Sequence, residues 1–162
     1  MYALRTYLFL SFFFISIFYN SYSQLTKKKN GMVVSDSKIA SEVGVKILKL
    51  GGNAVDASIA SAFALAVTYP AAGNIGGGGF VVYFNAERES VTTIDFREKA
   101  PLKSYEKMYL DETGQFQTKK SSYGIRSIGV PGTVDGLYHF HKKYGKLPWK
   151  VLIQPSIDLS KN

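Results

Sequence analysis

One segment of the sequence constrains the fold more than any other, because it predicts a helix without a polar face. Residues 54–67 are apolar except for Asp56, Ser58 and Ser61. A helix that is apolar nearly all round has to be buried by neighbouring elements. A helix of this length spans only about 21 Å, which is too short to cross a bilayer. The sequence therefore predicts a globular protein with this helix in its interior.

The residues before this segment predict a second helix and define where both helices begin and end. Apolar residues recur every three to four positions over 39–50, which is the period of one helix face. Ser35 or Ser37 is a suitable N-terminal cap for that helix, and a glycine pair ends it. Asn53 caps the apolar helix, and Pro70 terminates it because the residue before a proline disfavours helical backbone.

The rest of the chain predicts strands and further helices. A strand pair is joined by a hairpin-like loop over residues 85–90, and a later Pro-Gly-Thr sequence opens another helix. The predicted strands are 31–34, 80–84, 91–96 and 127–130, and the two later helices are opened by Pro131-Gly132-Thr133 and Leu147-Pro148-Trp149. This order of elements predicts an α/β fold of the α+β kind.

The N-terminus has the anatomy of a secretory signal peptide. Residues 1–23 carry one charge, Arg5, followed by an apolar run over 8–18 and small residues at alternate positions before Gln24. We expect residues 1–23 to direct export to the periplasm or outside the cell, and an uncleaved anchor is the alternative. The sequence has no Cys, which excludes disulfides, thiolate zinc sites, cysteine nucleophiles and a lipid attached to cysteine.

The charged residues indicate neither a nucleic-acid surface nor a metal site. The net charge is +8, but the lysines are scattered and no basic stripe alternates with aromatic residues. We therefore expect no nucleic-acid partner. His139 and His141 lie two positions apart on a predicted helix, so they point to different faces and cannot share a metal ion. No metal-ligand spacing and no Ser-His-Asp order is present.

The glycine cluster at 73–79 does not fit a nucleotide-binding loop. Gly79 is followed by Phe80-Val81 rather than Lys-Ser/Thr, and the glycine offsets of a dinucleotide fingerprint are absent. The cluster also follows a helix and precedes a strand, which is the reverse of the order that phosphate binding needs. We expect no cofactor. The glycines predict close approach to a strand, a substrate or a catalytic element, with tight packing alone as the alternative.

Arg97 is the candidate binding residue. It follows the apolar strand predicted at 91–96, and strand ends are positions where binding groups are commonly presented. A guanidinium can hold a carboxylate through two parallel hydrogen bonds. Asp95 or Glu98 could orient it, or could simply neutralise it in a structural ion pair. The pattern alone favours the structural role.

Five short motifs along the chain carry a family resemblance. They are Gly31-Met32-Val33, Gly51-Gly52-Asn53-Ala54-Val55-Asp56-Ala57, Gly73-Asn74-Ile75-Gly76-Gly77-Gly78-Gly79-Phe80, Asp95-Phe96-Arg97-Glu98-Lys99-Ala100-Pro101 and Pro131-Gly132-Thr133. With these motifs in register, residues 31–162 resemble the gamma-glutamyltranspeptidase (glutathione hydrolase) family. One motif alone would be weak evidence, whereas five in order are specific.

The resemblance implies a fold, an activity and partners. The fold would be the N-terminal fragment of a four-layer αββα N-terminal nucleophile hydrolase, with residues 24–162 as part of the large subunit. A precursor cleaves itself, and the new N-terminal Thr of the small subunit takes the glutamyl group from glutathione or another gamma-glutamyl compound. That group then passes to water, an amino acid or a peptide. In this family the position of Arg97 binds the alpha-carboxylate of the glutamyl group.

The resemblance also implies that the nucleophile is missing from the sequence. Thr113, Thr118 and Thr133 lack the family's nucleophile context, so we expect no catalytic residue and no activity in these residues alone. The apolar face of the last helix continues to about residue 159, which predicts the front part of a longer protein, with a frayed natural terminus as the alternative. A non-catalytic exported relict that binds an acidic ligand or partner, and a fragment of a related beta-lactam acylase, are the other interpretations.

Overall fold

A computed structural model describes residues 30–161, which form five α-helices, one 3-10 helix and one β-hairpin. The elements in chain order are α1 (Lys38–Lys49), α2 (Ala54–Thr68), β1 (Phe80–Asn85), β2 (Ser90–Asp95), α3 (Thr118–Ser122), the 3-10 helix (Ile125–Ser127), α4 (Thr133–Tyr144) and α5 (Trp149–Leu159). The signal peptide predicted for residues 1–23 lies outside the described residues.

Helices α1 and α2 pack against each other through small residues. Ser37 caps α1, as predicted, and accepts a hydrogen bond from the backbone N–H of Ala40 at 3.3 Å. The Ser61 hydroxyl on α2 donates to the carbonyl of Ala40 at 3.0 Å, in a buried position. At Gly44, an added Cβ would collide with Ser61, so the glycine permits this close crossing.

The buried face of α1 differs slightly from the predicted one. Val43 and Ile47 are buried as expected, whereas Ile39 and Leu50 are about half exposed. Ala40 and Gly44 take their place against α2. The reason is that the closest approach of two helices favours small residues, while the apolar period alone marks only the large ones.

The predicted apolar helix α2 lies at the centre of the structure. Asn53 and Asp56 form a reciprocal capping box at its N-terminus, and it ends at Thr68, two residues before Pro70. Its buried residues include Val55, Ile59 and Ala64. Helix α5 packs on it, and the rings of Phe63 and Trp149 meet edge to face with centroids 5.5 Å apart.

The hairpin formed by β1 and β2 packs on α4 by one face. The strands are antiparallel and in the register Phe80↔Asp95 to Asn85↔Ser90, as the predicted loop implied. The side chain of Tyr83 contacts the rings of Phe140 and Tyr144, at centroid distances of 5.6 and 4.9 Å. The opposite face is apolar and exposed, with Phe80, Val82, Phe84 and Val91 each at least 60% accessible.

Two predicted strands are wrong. Residues 31–34 form no strand; Gly31 has φ +131° and Val33 packs over Gly44 on α1. Residues 127–130 also form no strand, since a turn with φ +80° at Gly124 leads into the 3-10 helix. In both places the β-branched pattern is present, but only an isolated bridge, between Val130 and Lys99, forms. Strands need a paired neighbour, which the sequence pattern does not reveal.

The observed class is the predicted α+β mixture of helices and a small antiparallel sheet. Across residues 30–161, no helix is both long enough and apolar enough to cross a membrane. In the same part of the chain, no group of three His, Asp or Glu side chains is arranged to hold a metal ion.

Candidate substrate-binding site

Arg97 lies two residues beyond the end of β2, with its backbone fixed and its side chain exposed. Its backbone N–H donates to the Asp95 carboxylate at 3.0 Å. Within residues 30–161 its guanidinium takes part in no ion pair and no hydrogen bond, although Asp95 and Glu98 are close in sequence. The predicted structural alternative, in which one of these acids neutralises Arg97, is therefore not the observed arrangement.

The backbone around Arg97 is tied on both sides. The N–H of Phe96 donates to the carbonyl of Gly79 at 3.0 Å, which extends the hairpin ladder by one bond. Lys99 and Val130 exchange two backbone hydrogen bonds, at 3.2 and 2.8 Å. The segment that carries Arg97 thus runs between the glycine cluster and the start of α4, held at each end.

A cavity of about 450 Å³ opens beside Arg97. Its charged or titratable lining residues are Asp95, Arg97, Lys99, Asp135 and His139, with Phe96 and Gly132 in the wall. The His139 ring lies 3.2 Å from the Asp135 carboxylate, and both side chains are more than two-thirds exposed. Two cationic and two acidic side chains border this cavity, so an anionic ligand is favoured beside Arg97 and Lys99 and disfavoured beside Asp95 and Asp135.

The two histidines serve different local contacts. His139 is exposed on the side of α4 that faces this cavity, and its Nδ1 also approaches the Asp135 carbonyl at 3.0 Å. His141 is half-buried; its Nε2 lies 2.7 Å from the Leu147 carbonyl, and its ring packs on Trp149. They point away from each other, as their spacing predicts.

The glycine cluster approaches the backbone on either side of Arg97. Gly77 accepts hydrogen bonds from the backbone N–H groups of Gly132 and Thr133, at 2.8 and 3.1 Å, and so joins the cluster to the start of α4. Gly78 faces the backbone of residues 96–98. For Gly77 and Gly78, the structure shows close approach to neighbouring backbone, including the segment that bears the candidate binding residue.

Another cavity, of about 500 Å³, lies between α2 and α5. Its lining includes Phe63, Val67, Trp149 and Ile153, together with Ser156, and it contains no charged residue. The Ser156 hydroxyl is buried and has no hydrogen-bond partner among the described residues. The polar side chains in its lining are neutral, so this cavity has no charged group to complement a charged substrate.

Asp56 is the polar residue that sequence reasoning underestimated. Its side chain is fully buried and accepts hydrogen bonds from the backbone N–H groups of Asn53, Lys146 and Leu147, at 3.0 to 3.2 Å. Asn53 adds a bond from its side chain to the Tyr144 carbonyl at 2.7 Å. The sequence predicts only the local cap; an acid inside an otherwise apolar helix was the available signal for a longer-range role.

Comparison with known proteins identifies the family. Residues 40–162 match the family model described as gamma-glutamyltranspeptidase. The chain belongs to the gamma-glutamyltranspeptidase family. A glutathione hydrolase proenzyme of Pseudomonas sp. (strain A14) is 52% identical over 132 residues, which is 82% of this chain and 23% of that protein. The chain thus spans about a quarter of the length of the curated relatives it matches.

Solved gamma-glutamyltranspeptidase structures share the fold. The Helicobacter pylori gamma-glutamyltranspeptidase is 48% identical, with a TM-score of 0.80 over 84% of this chain and 39% of that one. A cephalosporin acylase from Bacillus halodurans is 29% identical, with a TM-score of 0.65 over 87% of this chain and 26% of that one. The described helices and hairpin are therefore part of an N-terminal nucleophile hydrolase fold, as the resemblance implied.

Proposed function

We propose that this chain is part of a gamma-glutamyltransferase and glutathione hydrolase. The proposed enzyme cleaves the gamma-glutamyl amide of glutathione or a related compound and transfers the glutamyl group to water, an amino acid or a peptide. Family membership supports this activity, as do relatives that are named glutathione hydrolase proenzymes. We assign substrate binding to the described residues and the Thr nucleophile to a small subunit derived from the same precursor.

The observation that carries the proposal is the unpaired guanidinium of Arg97 at a fixed point of the backbone. An arginine held by its main chain and free at its side chain can form two parallel hydrogen bonds to a carboxylate without first breaking an internal ion pair. The alpha-carboxylate of a glutamyl group is such a ligand. We propose that Arg97 binds it and so places the gamma-amide at the nucleophile.

The proposed chemistry is acyl transfer through an ester intermediate. The Thr hydroxyl oxygen attacks the amide carbon, and its proton passes by way of the terminal amine to the departing nitrogen as the C–N bond breaks. Water or an amino group then attacks the ester and releases the Thr hydroxyl. Arg97 stays bound to the same carboxylate in both steps, which keeps the acyl group in place.

The exposed face of the hairpin supports a larger assembly. Phe80, Val82 and Phe84 on β1 share this face and are 60 to 77% accessible, whereas Tyr83 on the other face packs on α4. Sheets with one open apolar face are normally covered by another layer. We propose that the rest of the αββα sandwich, including the small subunit, covers it.

The alternative activities receive less support. The cephalosporin acylase is less similar in sequence than the gamma-glutamyltranspeptidases, at 29% against 48% identity. A non-catalytic relict that folds alone would leave the apolar face of the hairpin uncovered. We therefore keep gamma-glutamyl cleavage as the proposed activity of the whole protein.

For localisation, we propose export by a signal peptide at residues 1–23, to the periplasm or outside the cell. The basic start, the apolar run and the small residues before Gln24 support this proposal. N-terminal sequencing of the protein recovered from the exported fraction tests it. A protein that starts near Gln24 is expected, and a cytoplasmic protein with an intact N-terminus would contradict it.

The activity is tested by conservative substitution of Arg97 in the full-length protein. In Arg97→Lys we expect the KM for glutathione to rise about 10-fold or more, because a point charge cannot reproduce the bidentate guanidinium. Arg126→Lys, an exposed arginine outside this cavity, is the matched control. No gamma-glutamyl cleavage by the unmodified protein, or an unchanged KM in Arg97→Lys, would contradict the proposal.

A further inference from the structure

We propose that three glycines, Gly78, Gly132 and Gly136, form a cradle that sets the position of Arg97 and thereby the affinity for the substrate carboxylate. They come from two separate parts of the chain, the glycine cluster and the start of α4. Both groups converge on residues 96–98. This inference rests on the proposed function, because it concerns how the carboxylate-binding residue is positioned.

Gly78 forms the first side of the cradle. A Cβ at this position would lie 2.7 Å from the Arg97 Cα, the Glu98 nitrogen and the Phe96 oxygen. Ordinary contacts between non-bonded carbon atoms are about 3.5–4.0 Å. All three neighbouring atoms belong to the main chain, so no side-chain rotation relieves the overlap. Any side chain at Gly78 therefore displaces the backbone that carries Arg97.

Gly132 and Gly136 form the second side. They are four residues apart at the start of α4, so they share one helix face. A Cβ at Gly132 would overlap the carbonyl oxygen of Phe96, and one at Gly136 would overlap the Cβ and ring of Phe96. Helix α4 can approach the segment this closely only because both positions lack a side chain.

The two sides of the cradle are joined to each other. The carbonyl of Gly77, next to Gly78, accepts hydrogen bonds from the N–H groups of Gly132 and Thr133, at 2.8 and 3.1 Å. Gly79, on the other side of Gly78, accepts from Phe96 at 3.0 Å. The backbone of residues 96–98 is thus enclosed by two glycine surfaces that are hydrogen-bonded together.

Backbone conformation does not explain these glycines. Positive φ angles occur at Gly31, Gly51, Gly114 and Gly124, and at none of the cradle glycines among the described residues. The cradle positions therefore need glycine for space and not for a left-handed backbone. What occupies that space is the segment whose one exposed, unpaired cation is Arg97.

The consequence for binding follows from the size of the overlaps. Relieving a 2.7 Å contact moves the segment by about 1 Å, and a shift of 1 Å in a positioning group can cost about 100-fold in rate. The loss should fall on substrates that use the Arg97 guanidinium. Substrates without an alpha-carboxylate should not be affected, because they form no hydrogen bonds with the Arg97 guanidinium.

The test compares Gly78→Ala with Gly76→Ala in the full-length protein. The control lies in the same glycine run, and a Cβ at Gly76 would meet no atom within 4 Å. The two substrates are gamma-glutamyl-p-nitroanilide and 4-aminobutyryl-p-nitroanilide, which lacks the alpha-carboxylate. In Gly78→Ala we expect kcat/KM to fall about 100-fold for the first, mainly through KM, and to stay unchanged for the second. Gly76→Ala should match the unmodified protein with both substrates.

Each outcome supports or overturns one of the two proposals. If Gly78→Ala has the same kcat/KM values as Gly76→Ala, or if its kcat/KM falls equally for both substrates, the cradle proposal is wrong. If Arg97→Ala lowers kcat/KM equally for both substrates, the proposed role of Arg97 is wrong instead. Should Gly78→Ala fail to fold, Gly132→Ala on the other side of the cradle decides, because its Cβ would overlap the carbonyl group of Phe96. A loss confined to the carboxylate-bearing substrate then supports the cradle, and its absence overturns it.

Discussion

The described structure contains two charged residues whose surroundings are opposite. Asp56 is fully buried at the start of α2, and its carboxylate accepts hydrogen bonds from three separate backbone N–H groups. Arg97 is exposed beyond β2, and its guanidinium has no partner within residues 30–161. The carboxylate of Asp56 is hydrogen-bonded within the fold, whereas the guanidinium of Arg97 is exposed to solvent.

This difference separates stability from binding. Asp56 joins α2 to the loop between α4 and α5, about 90 residues away in the chain, so its removal should affect folding first. Arg97 makes only a main-chain hydrogen bond, so its side chain should matter little for stability and much for binding an anion. Substitution of each residue tests whether this division holds.

The largest expected effect is on stability, in Asp56→Ala. The substitution removes the hydrogen bonds that the backbone N–H groups of Asn53, Lys146 and Leu147 donate to a charged acceptor, which are partly buried and worth about 1.5–3 kcal/mol each, and we expect a loss of about 4 kcal/mol in the free energy of unfolding. Chemical denaturation of the full-length protein measures it. Asp36→Ala, which removes an exposed acid, is the control and should be neutral. A change below about 1 kcal/mol in Asp56→Ala would show that water replaces the carboxylate.

The second-largest effect is a loss of activity in Arg97→Ala that leaves stability unchanged. Two charge-assisted hydrogen bonds to a substrate carboxylate are lost, and we expect kcat/KM for glutathione to fall about 100-fold. The free energy of unfolding should stay within about 0.5 kcal/mol of the unmodified protein, since no internal contact of the guanidinium is removed. Steady-state kinetics and denaturation on the same preparation give both values. A large loss of stability would place Arg97 in the same class as Asp56.

The sequence anticipated these two residues unequally. Arg97 follows a strand that the sequence predicts at 91–96 and the structure places at Ser90–Asp95, so its position near a strand end was predictable. The family resemblance then assigned it a ligand. Asn53 was predictable as the cap of α2, and Asp56 lies three residues later, where its negative charge favours the N-terminus of a helix. Its bonds to Lys146 and Leu147 depend on tertiary packing, which no local pattern contains.

The same physical limit explains the two incorrect strands and the glycine cluster. A β-branched run at 31–34 satisfies strand propensity, but pairing requires a neighbour that only the folded chain provides. The glycines predicted a close approach without naming the partner. Their neighbours at 96–98 extend the hydrogen-bonded hairpin and contact the start of α4, and both arrangements were visible only in three dimensions.

A third, smaller effect concerns a buried neutral polar group, in Ser61→Ala. Its hydroxyl donates to the Ala40 carbonyl at 3.0 Å between α1 and α2, and we expect a loss of about 1 kcal/mol in stability. Ser58→Ala on the same helix is the matched control, because that hydroxyl is exposed and bonds its own helix at Val55. Equal losses of stability in the two variants would mean that the hydrogen bond of Ser61 between helices contributes no more than the hydrogen bond of Ser58 within its own helix.

The smallest effect concerns Asp111, a partly buried acid that, unlike Arg97, has internal partners. The Thr113 hydroxyl, at 2.7 Å, and then the Gln115 backbone N–H, at 2.9 Å, hold the pKa of Asp111 below its ordinary value of 3.8. Thr113→Val should raise this pKa towards 3.8, as an NMR titration of the carboxyl carbon would show. Because the folded-state pKa is lowered, the stabilisation is present above the unfolded value and is lost as the pH falls through the folded one. An unchanged pKa would mean that the hydroxyl contact is not formed in solution.

The most direct measurement is a crystal structure of the full-length protein with bound glutamate. If Arg97 is the carboxylate-binding residue, two of its guanidinium nitrogens should lie about 2.7–2.9 Å from the two alpha-carboxylate oxygens. The backbone of residues 96–98 should keep its contacts with Gly78, Gly132 and Gly136. A glutamate bound elsewhere, with the Arg97 side chain still in solvent, would contradict the assignment.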